Sequence, residues 1–344
     1  MQITTPKTEH KAIGVWLLTC AALVLFMVIL GGLTRLTHSG LSMVEWQLTT
    51  ILPPMTQDEW VVMFEKYRQF PEFQKVNTDM DVEGFKSIFW LEFIHRNVGR
   101  LIGFVFLLPF VGFLAKGWVS RKLGVQLAGL FLLGGAQGGM GWYMVASGLV
   151  DNPDVSQYRL TAHLMLATFI LAGLVWVGLG QLGLSVNAGP SAARRRLSKL
   201  SLGLLVLIMI TIASGGFVAG TDAGFTFNTF PLMDGRLVPE GYLPALSGVF
   251  EDVATIQFNH RLLATSTVVL CFALWSFMRG DDLPARTRLS LHALALMAAV
   301  QLSLGISTLL LVVPVHLASA HQAGALVLMS LTIWVLWESR SAKS

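Results

Sequence analysis

Cysteine is almost missing from this chain: 344 residues hold two, Cys20 and Cys271, and both fall inside apolar runs. That argues against a disulfide framework or a thiolate metal site and for thiols packed as small hydrophobes. Charge is scarce too, at 13% of residues against 54% hydrophobic, and the mean hydropathy is +0.64. A soluble globule carries about a quarter charged residues, so this composition describes a polytopic membrane protein. The net charge of +4 is no nucleic-acid footprint, because the basic residues lie between the apolar runs. No targeting presequence is expected either. Thirteen residues precede the first run and include Glu9, which leaves no room for an amphipathic, acid-poor transit peptide and favours a bacterial inner membrane over a mitochondrial one.

What the chain does have is eight apolar runs long enough to cross a bilayer, at 14–34, 89–114, 123–146, 159–184, 200–221, 255–278, 288–312 and 315–337. Fourteen of the 24 lysines and arginines lie in one set of connections, from Lys7 and Lys11 through Arg194, Arg195 and Arg196 to Arg340 and Lys343. The opposite set holds seven, five of them in the segment 35–88. By the positive-inside rule both termini are cytoplasmic. The segment 35–88 is too long for a simple connection. Within it Thr56-Gln57-Asp58-Glu59 reads as a capping box, and Trp60, Phe64 and Tyr67 then line one helical face until Pro71. An amphipathic helix lying on the outer membrane surface is expected, roofing the outer mouth.

The sequence repeats itself. Residues 31–40, Gly-Gly-Leu-Thr-Arg-Leu-Thr-His-Ser-Gly, align without a gap on 215–224, Gly-Gly-Phe-Val-Ala-Gly-Thr-Asp-Ala-Gly. His95-Arg96 matches His260-Arg261, Gln137 and Gly141 match Gln301 and Gly305, and Ala162-His163 matches Ala320-His321, always in the same order. The expected fold is therefore all-α: eight transmembrane helices as two parallel, tandem four-helix bundles. Residues 1–184 and 200–344 form the two halves, and the basic stretch 185–199 links them.

Chemistry concentrates where the repeat is strongest. Phe89 to Asn97 opens a long apolar run yet holds Glu92, His95 and Arg96, and Glu92 and His95 share a helical face. Ionisable groups at the edge of a span are costly there, and so are functional candidates. His95, His163, His260 and His321 all lie within about two turns of the outer ends of their helices. His10 and His292 have no counterpart in the other half, His38 aligns with Asp222, and His316 competes with His321. Two imidazoles at equal depth on neighbouring helices can face each other across a planar metal centre. A zinc site would add carboxylates or thiolates, whereas a heme needs only the two histidines. Arg96 and Arg261, each one residue past its histidine, are placed to meet heme propionates. Glu92 has Gln257 as its counterpart, and an amide can neither take a proton nor stabilise positive charge as a carboxylate can. The first half is thus the reactive one and the second a fixed electron-transfer centre.

The stretches Gly31 to Val44, Pro53-Pro54-Met55-Thr56-Gln57, Glu65 to Phe73 and Glu92-Phe93-Ile94-His95-Arg96 resemble the heme A synthase family, in its proteobacterial and mitochondrial branch. The resemblance covers nearly the whole chain, without the cysteine pair that other branches carry in the first outer loop. It implies oxidation of the methyl group on carbon 8 of heme O to a formyl group through a hydroxymethyl intermediate, for cytochrome oxidase biogenesis. It also implies that His95 and His163 flank the substrate heme O, that Glu92 is catalytic, and that His260 and His321 ligate a b-type heme. Heme O synthase, the farnesyltransferase that makes the substrate, is the implied partner beside membrane lipid and an unidentified electron acceptor. On the residues alone two other classes stand. One is a di-heme cytochrome b passing electrons from quinol without modifying heme, which those residues favour until the resemblance places the synthase ahead. The other is a proton-coupled transporter, whose broken helices would place polar groups near the midplane rather than at the outer end.

Overall fold

The computed structural model describes residues 10–45, 52–149, 155–183 and 192–340. They are helical in character: α1 (Lys11–Leu36), α2 (Gln57–Tyr67), α3 (Pro71–Lys75), α4 (Val82–Ala115), α5 (Arg121–Gly148), α6 (Gln157–Gln181), α7 (Ala192–Gly220), a 3-10 turn (Ala223–Phe225), α8 (Gly248–Glu251), α9 (Val253–Met278), α10 (Ala285–Leu310) and α11 (Val315–Glu338). Eight of them, α1, α4, α5, α6, α7, α9, α10 and α11, are long and apolar enough to cross a membrane. Each overlaps one of the runs read from hydropathy, with C-terminal ends that agree to within three residues.

Two starts differ from that reading. Helix α4 begins at Val82 rather than near 89, because Asp81 caps it, its Oδ1 accepting the Gly84 N–H at 2.8 Å. The added turns carry Glu83 and Lys86, so a hydropathy window ends before them. Helix α7 begins at Ala192, which places Arg194 to Arg196 in its first turns. Arg194 is buried there and donates from Nη2 to the Glu338 carbonyl at 3.2 Å. Part of the stretch read as a linker is thus helix packed on α11; residues 184–191 lie outside the described residues.

The helices pack by their apolar faces. Helix α1 lies against α4, α6 and α11, and α7 against α6, α9 and α11; α5 joins α4 to α6, and α10 joins α9 to α11. Ile13, Leu17, Leu127, Leu174, Leu197, Ile208, Leu291 and Met329 fill the core. Cys20 and Cys271 sit in it as free thiols. Trp16 satisfies its buried indole by donating to the Val105 carbonyl at 2.8 Å.

The capping box of α2 forms as expected: Thr56 Oγ1 accepts from the Glu59 N–H, and Glu59 Oε2 accepts from the Thr56 N–H. Trp60, Phe64 and Tyr67 are buried against Phe85, Ile88, Phe89 and Phe93 of α4, with Trp60 edge-on to Phe89 at 4.9 Å between ring centroids. An aromatic face finds a better partner in another aromatic face than in headgroups, and the extension of α4 supplies one. Pro71 does not merely stop α2; it sits in the first turn of α3, where a missing N–H is harmless.

This cap holds a buried acid. Glu72 is 5% exposed and accepts from the Tyr67 hydroxyl at 3.1 Å, while Asn77 donates to the same hydroxyl at 2.7 Å. Burial, with Glu92 adding like charge, raises the Glu72 carboxyl from 4.5 to about 7. The same surroundings push the Tyr67 phenol upward. The unfolded chain loses the Glu72 proton first as pH rises, so the contribution is complete below 4.5 and is lost as pH climbs to about 7. At 1.36 kcal/mol per unit this amounts to about 3 kcal/mol. Amide-exchange protection across residues 57–77 is expected to fall over that pH window, and Glu72→Gln is expected to flatten the response. Protection in the unaltered protein that rises with pH there would contradict it.

Candidate functional site

All four expected histidines sit one turn or more inside their helices, each against a glycine of a neighbour. A Cβ on Gly31 of α1 would stand 3.1 Å from His95 Cε1, and one on Gly141 of α5 would stand 3.3 Å from His163 Cε1. Gly215 of α7 stands in the same relation to His260 at 3.2 Å, and Gly305 of α10 to His321 at 2.8 Å. Glycine lets each backbone approach the ring edge and fixes its plane; any side chain would push the imidazole aside. His95 and His163 lie within electrostatic reach of each other, and so do His260 and His321.

The two pairs differ at Nδ1. Ser214 gives its hydroxyl proton to the Thr211 carbonyl at 2.7 Å, so its oxygen accepts from His260 Nδ1 at 2.8 Å. That bond sets the tautomer and leaves Nε2 with its lone pair. Gln301 Nε2 lies 3.1 Å from His321 Nδ1 and donates to the His321 carbonyl at 2.9 Å. In the first pair, His95 Nδ1 and His163 Nδ1 are both buried without a hydrogen-bond partner. Gln137 reaches the other ring nitrogen of His163, Nε2, at 3.2 Å. Among the described residues no group of three or more His, Cys, Asp or Glu converges as a metal cage. An iron held here would therefore have to bring equatorial ligands of its own, as a porphyrin iron does.

Glu92 is 3% exposed and fully engaged. Its Oε2 accepts from the Ser42 hydroxyl at 2.6 Å and the Met43 N–H at 2.8 Å, and its Oε1 accepts from Arg96 one turn on. Gln257, 2% exposed, makes the corresponding contacts with the polarity of one reversed. Its Oε1 accepts from Arg261 at 2.9 Å, but its amide donates to the Ala223 carbonyl at 2.7 Å. Where the loop after α1 offers donors, the loop after α7 offers an acceptor. The guanidinium groups expected at propionates are largely turned to loop carbonyls. Arg96 donates to Met43 and Glu45, and Arg261 to Phe227, Thr229 and Leu232. One donor of that pair is left over: Arg261 Nε is buried without a partner.

The remaining histidines fall away from this centre. His316 and His38 are exposed, His38 with a positive φ of 48°. His10 stacks on Trp118, and His292 accepts from the Trp275 indole. Asp222, the counterpart of His38, pairs with Arg35 at 3.0 Å. Ser42 and Met43 went unnoticed as site residues, since no periodicity marks a loop residue that folds back, and Ser214 of α7 went unnoticed because the repeat gives it no counterpart of its own type. Gln137, Gln301 and the four glycines carried a signal, the repeat itself, which located them without saying what they touch.

Residues 14–333 match the model of the COX15-CtaA family, described as cytochrome oxidase assembly protein. The chain belongs to the COX15-CtaA family. Among its relatives, "Heme A synthase" of Nitrosospira multiformis is 52% identical over 96% of this chain and 94% of its own length. "Heme A synthase COX15" of Arabidopsis thaliana is 46% identical over 96% of this chain and 75% of its own, and the Bos taurus protein of the same name is 42% identical over 97% and 83%. A COX15-CtaA protein with eight candidate spans and two glycine-backed imidazole pairs is a membrane protein of heme chemistry.

Proposed function

We propose that this chain is a heme A synthase: it oxidises the C8 methyl group of heme O to a formyl group through a hydroxymethyl intermediate, for cytochrome oxidase assembly. The observation that carries the division of labour is the asymmetry at Nδ1. A resident cofactor is served by a ligand whose free nitrogen is already held, as with His260, whose Nδ1–H is taken by Ser214. A substrate that must enter and leave is served by a ligand that is not, as with His95, whose Nδ1 is buried without a partner. We therefore assign His260 and His321 to a b-type heme and His95 and His163 to heme O.

The same reading makes residues 1–184 and 200–344 two tandem four-helix units joined through 185–199, with both termini cytoplasmic and the histidines near the outer face of a bacterial inner membrane. The repeated Gly–His contacts support the tandem units, and the distribution of lysine and arginine supports the orientation. A bis-imidazole heme supplies one-electron transfer when bound. Glu92, three residues from His95, stabilises positive charge developing at the methyl carbon or takes the proton released. Ser42 and Met43 hold that carboxylate, and Arg96 ties the loop over it. The Nε–H of Arg261 is the donor left for a propionate. Heme O synthase is the partner that supplies the substrate, and electrons leave to an acceptor in or beside the membrane.

The test is pigment analysis of the protein purified from cells that also make heme O. Heme A or its hydroxymethyl precursor is expected. Two unmodified hemes retained through turnover would instead make it a di-heme electron carrier.

A further inference from the structure

The glycines at 31–32 and 215–216 face two ways. Successive helical residues lie about 100° apart, so adjacent glycines look at different neighbours. Gly31 lies against His95, whereas a Cβ on Gly32 would fall 2.2 Å from Gln322 Oε1, on the residue next to His321. Gly215 lies against His260, whereas a Cβ on Gly216 would fall 2.8 Å from Thr161 Oγ1 and 3.2 Å from Thr161 Cα, two residues before His163. Helices α1 and α7 thus each touch one histidine of one pair and the helix carrying a histidine of the other. The seam is polar; at Gly216 it meets the Thr161 backbone, and at Gly32 the far end of the Gln322 side chain. Gln322 donates to the Val28 carbonyl at 3.1 Å, one turn before Gly32. One turn past Gly216, a Cβ on Gly220 would stand 2.6 Å from Gln157 Cα. Small residues at such a crossing let backbones approach as side chains would not.

We propose that Gly32 and Gly216 are positioning residues for electron transfer between the two heme sites: they set how closely the two histidine pairs approach. This rests on the heme assignment above. In the step, one iron is oxidised from ferrous to ferric and the other is reduced from ferric to ferrous; no bond changes and no proton moves. Transfer through protein falls off exponentially with separation, so the thickness of this seam controls the rate. The first glycine of each pair serves its own imidazole, and the second serves the other site.

The experiment uses full-length protein carrying both hemes, with electron equilibration followed optically after pulsed injection of one electron from a photoexcited external reductant. Gly216→Ala and Gly32→Ala are expected to keep both heme spectra and both midpoint potentials while slowing equilibration severalfold, the double variant most. Removing the clashing side chain, in Gly32→Ala with Gln322→Ala, is expected to restore the rate. An unchanged rate in the double variant with both spectra intact overturns the proposal. If the double variant loses a heme, the Gly32→Ala, Gln322→Ala pair decides, and a rate that stays slow there is equally fatal. Unaltered protein that never shows two heme spectra overturns the heme assignment and this inference with it.

Discussion

Glu92→Gln is expected to fold, retain heme at both sites and accumulate heme O or the hydroxymethyl intermediate, with heme A formation at least about 100-fold down. The side chain keeps its size, and Arg96 keeps an acceptor. What is lost is the negative charge and one hydrogen bond. Ser42 can turn its hydroxyl to accept the new amide, but the Met43 N–H, now 2.8 Å from Oε2, is left facing a donor or nothing. An unpaired buried donor costs about 1–3 kcal/mol, so the loop after α1 should also loosen. Ser42→Ala separates the two effects. It removes the 2.6 Å bond to Oε2 while leaving the carboxylate in place. Heme A production that survives Ser42→Ala and fails in Glu92→Gln assigns the loss to the carboxylate's chemistry. Normal production by Glu92→Gln refutes the catalytic role.

The second large effect belongs to the other pair. His260→Ala and His321→Ala should each remove the six-coordinate, low-spin b-type spectrum, since an iron ligated on both faces cannot keep that state with one imidazole. His316→Ala should leave it intact, because His316 is exposed and Gly305 and Gln301 both address His321. Ser214→Ala should keep the heme and shift its potential, as the Nδ1 bond that tunes the ligand is gone. A b-type spectrum that persists in both His260→Ala and His321→Ala would overturn the ligand assignment.

Much of this was legible in the sequence because it is local or repeated. Span number follows from apolar run length, and the capping box at Thr56 needs only four residues. The four histidines stood out because two halves of one chain carry the same order of residues. Even the preference for His321 over His316 has a local reason. Five positions turn a helix by about 140° from a shared face, so only one of the two can point where His163 points in the other half.

Tertiary structure alone decided what those residues touch. Helix α2 has the pattern of a membrane-surface helix, and only the extension of α4 shows that Phe85 and Phe89 bury it. Glu92 meets Ser42 and Met43 across a loop of some 50 residues, a closure that no local propensity encodes. The Gly-Gly pairs are visible as a motif, yet that the second glycine looks into the other half depends on how α1 meets α11 and α7 meets α6. Whether an imidazole's second nitrogen is held or bare is likewise a matter of which helix lies beside it. Sequence specifies which faces are apolar and which residues recur; the contact that gives a polar group its partner exists only once the helices have packed.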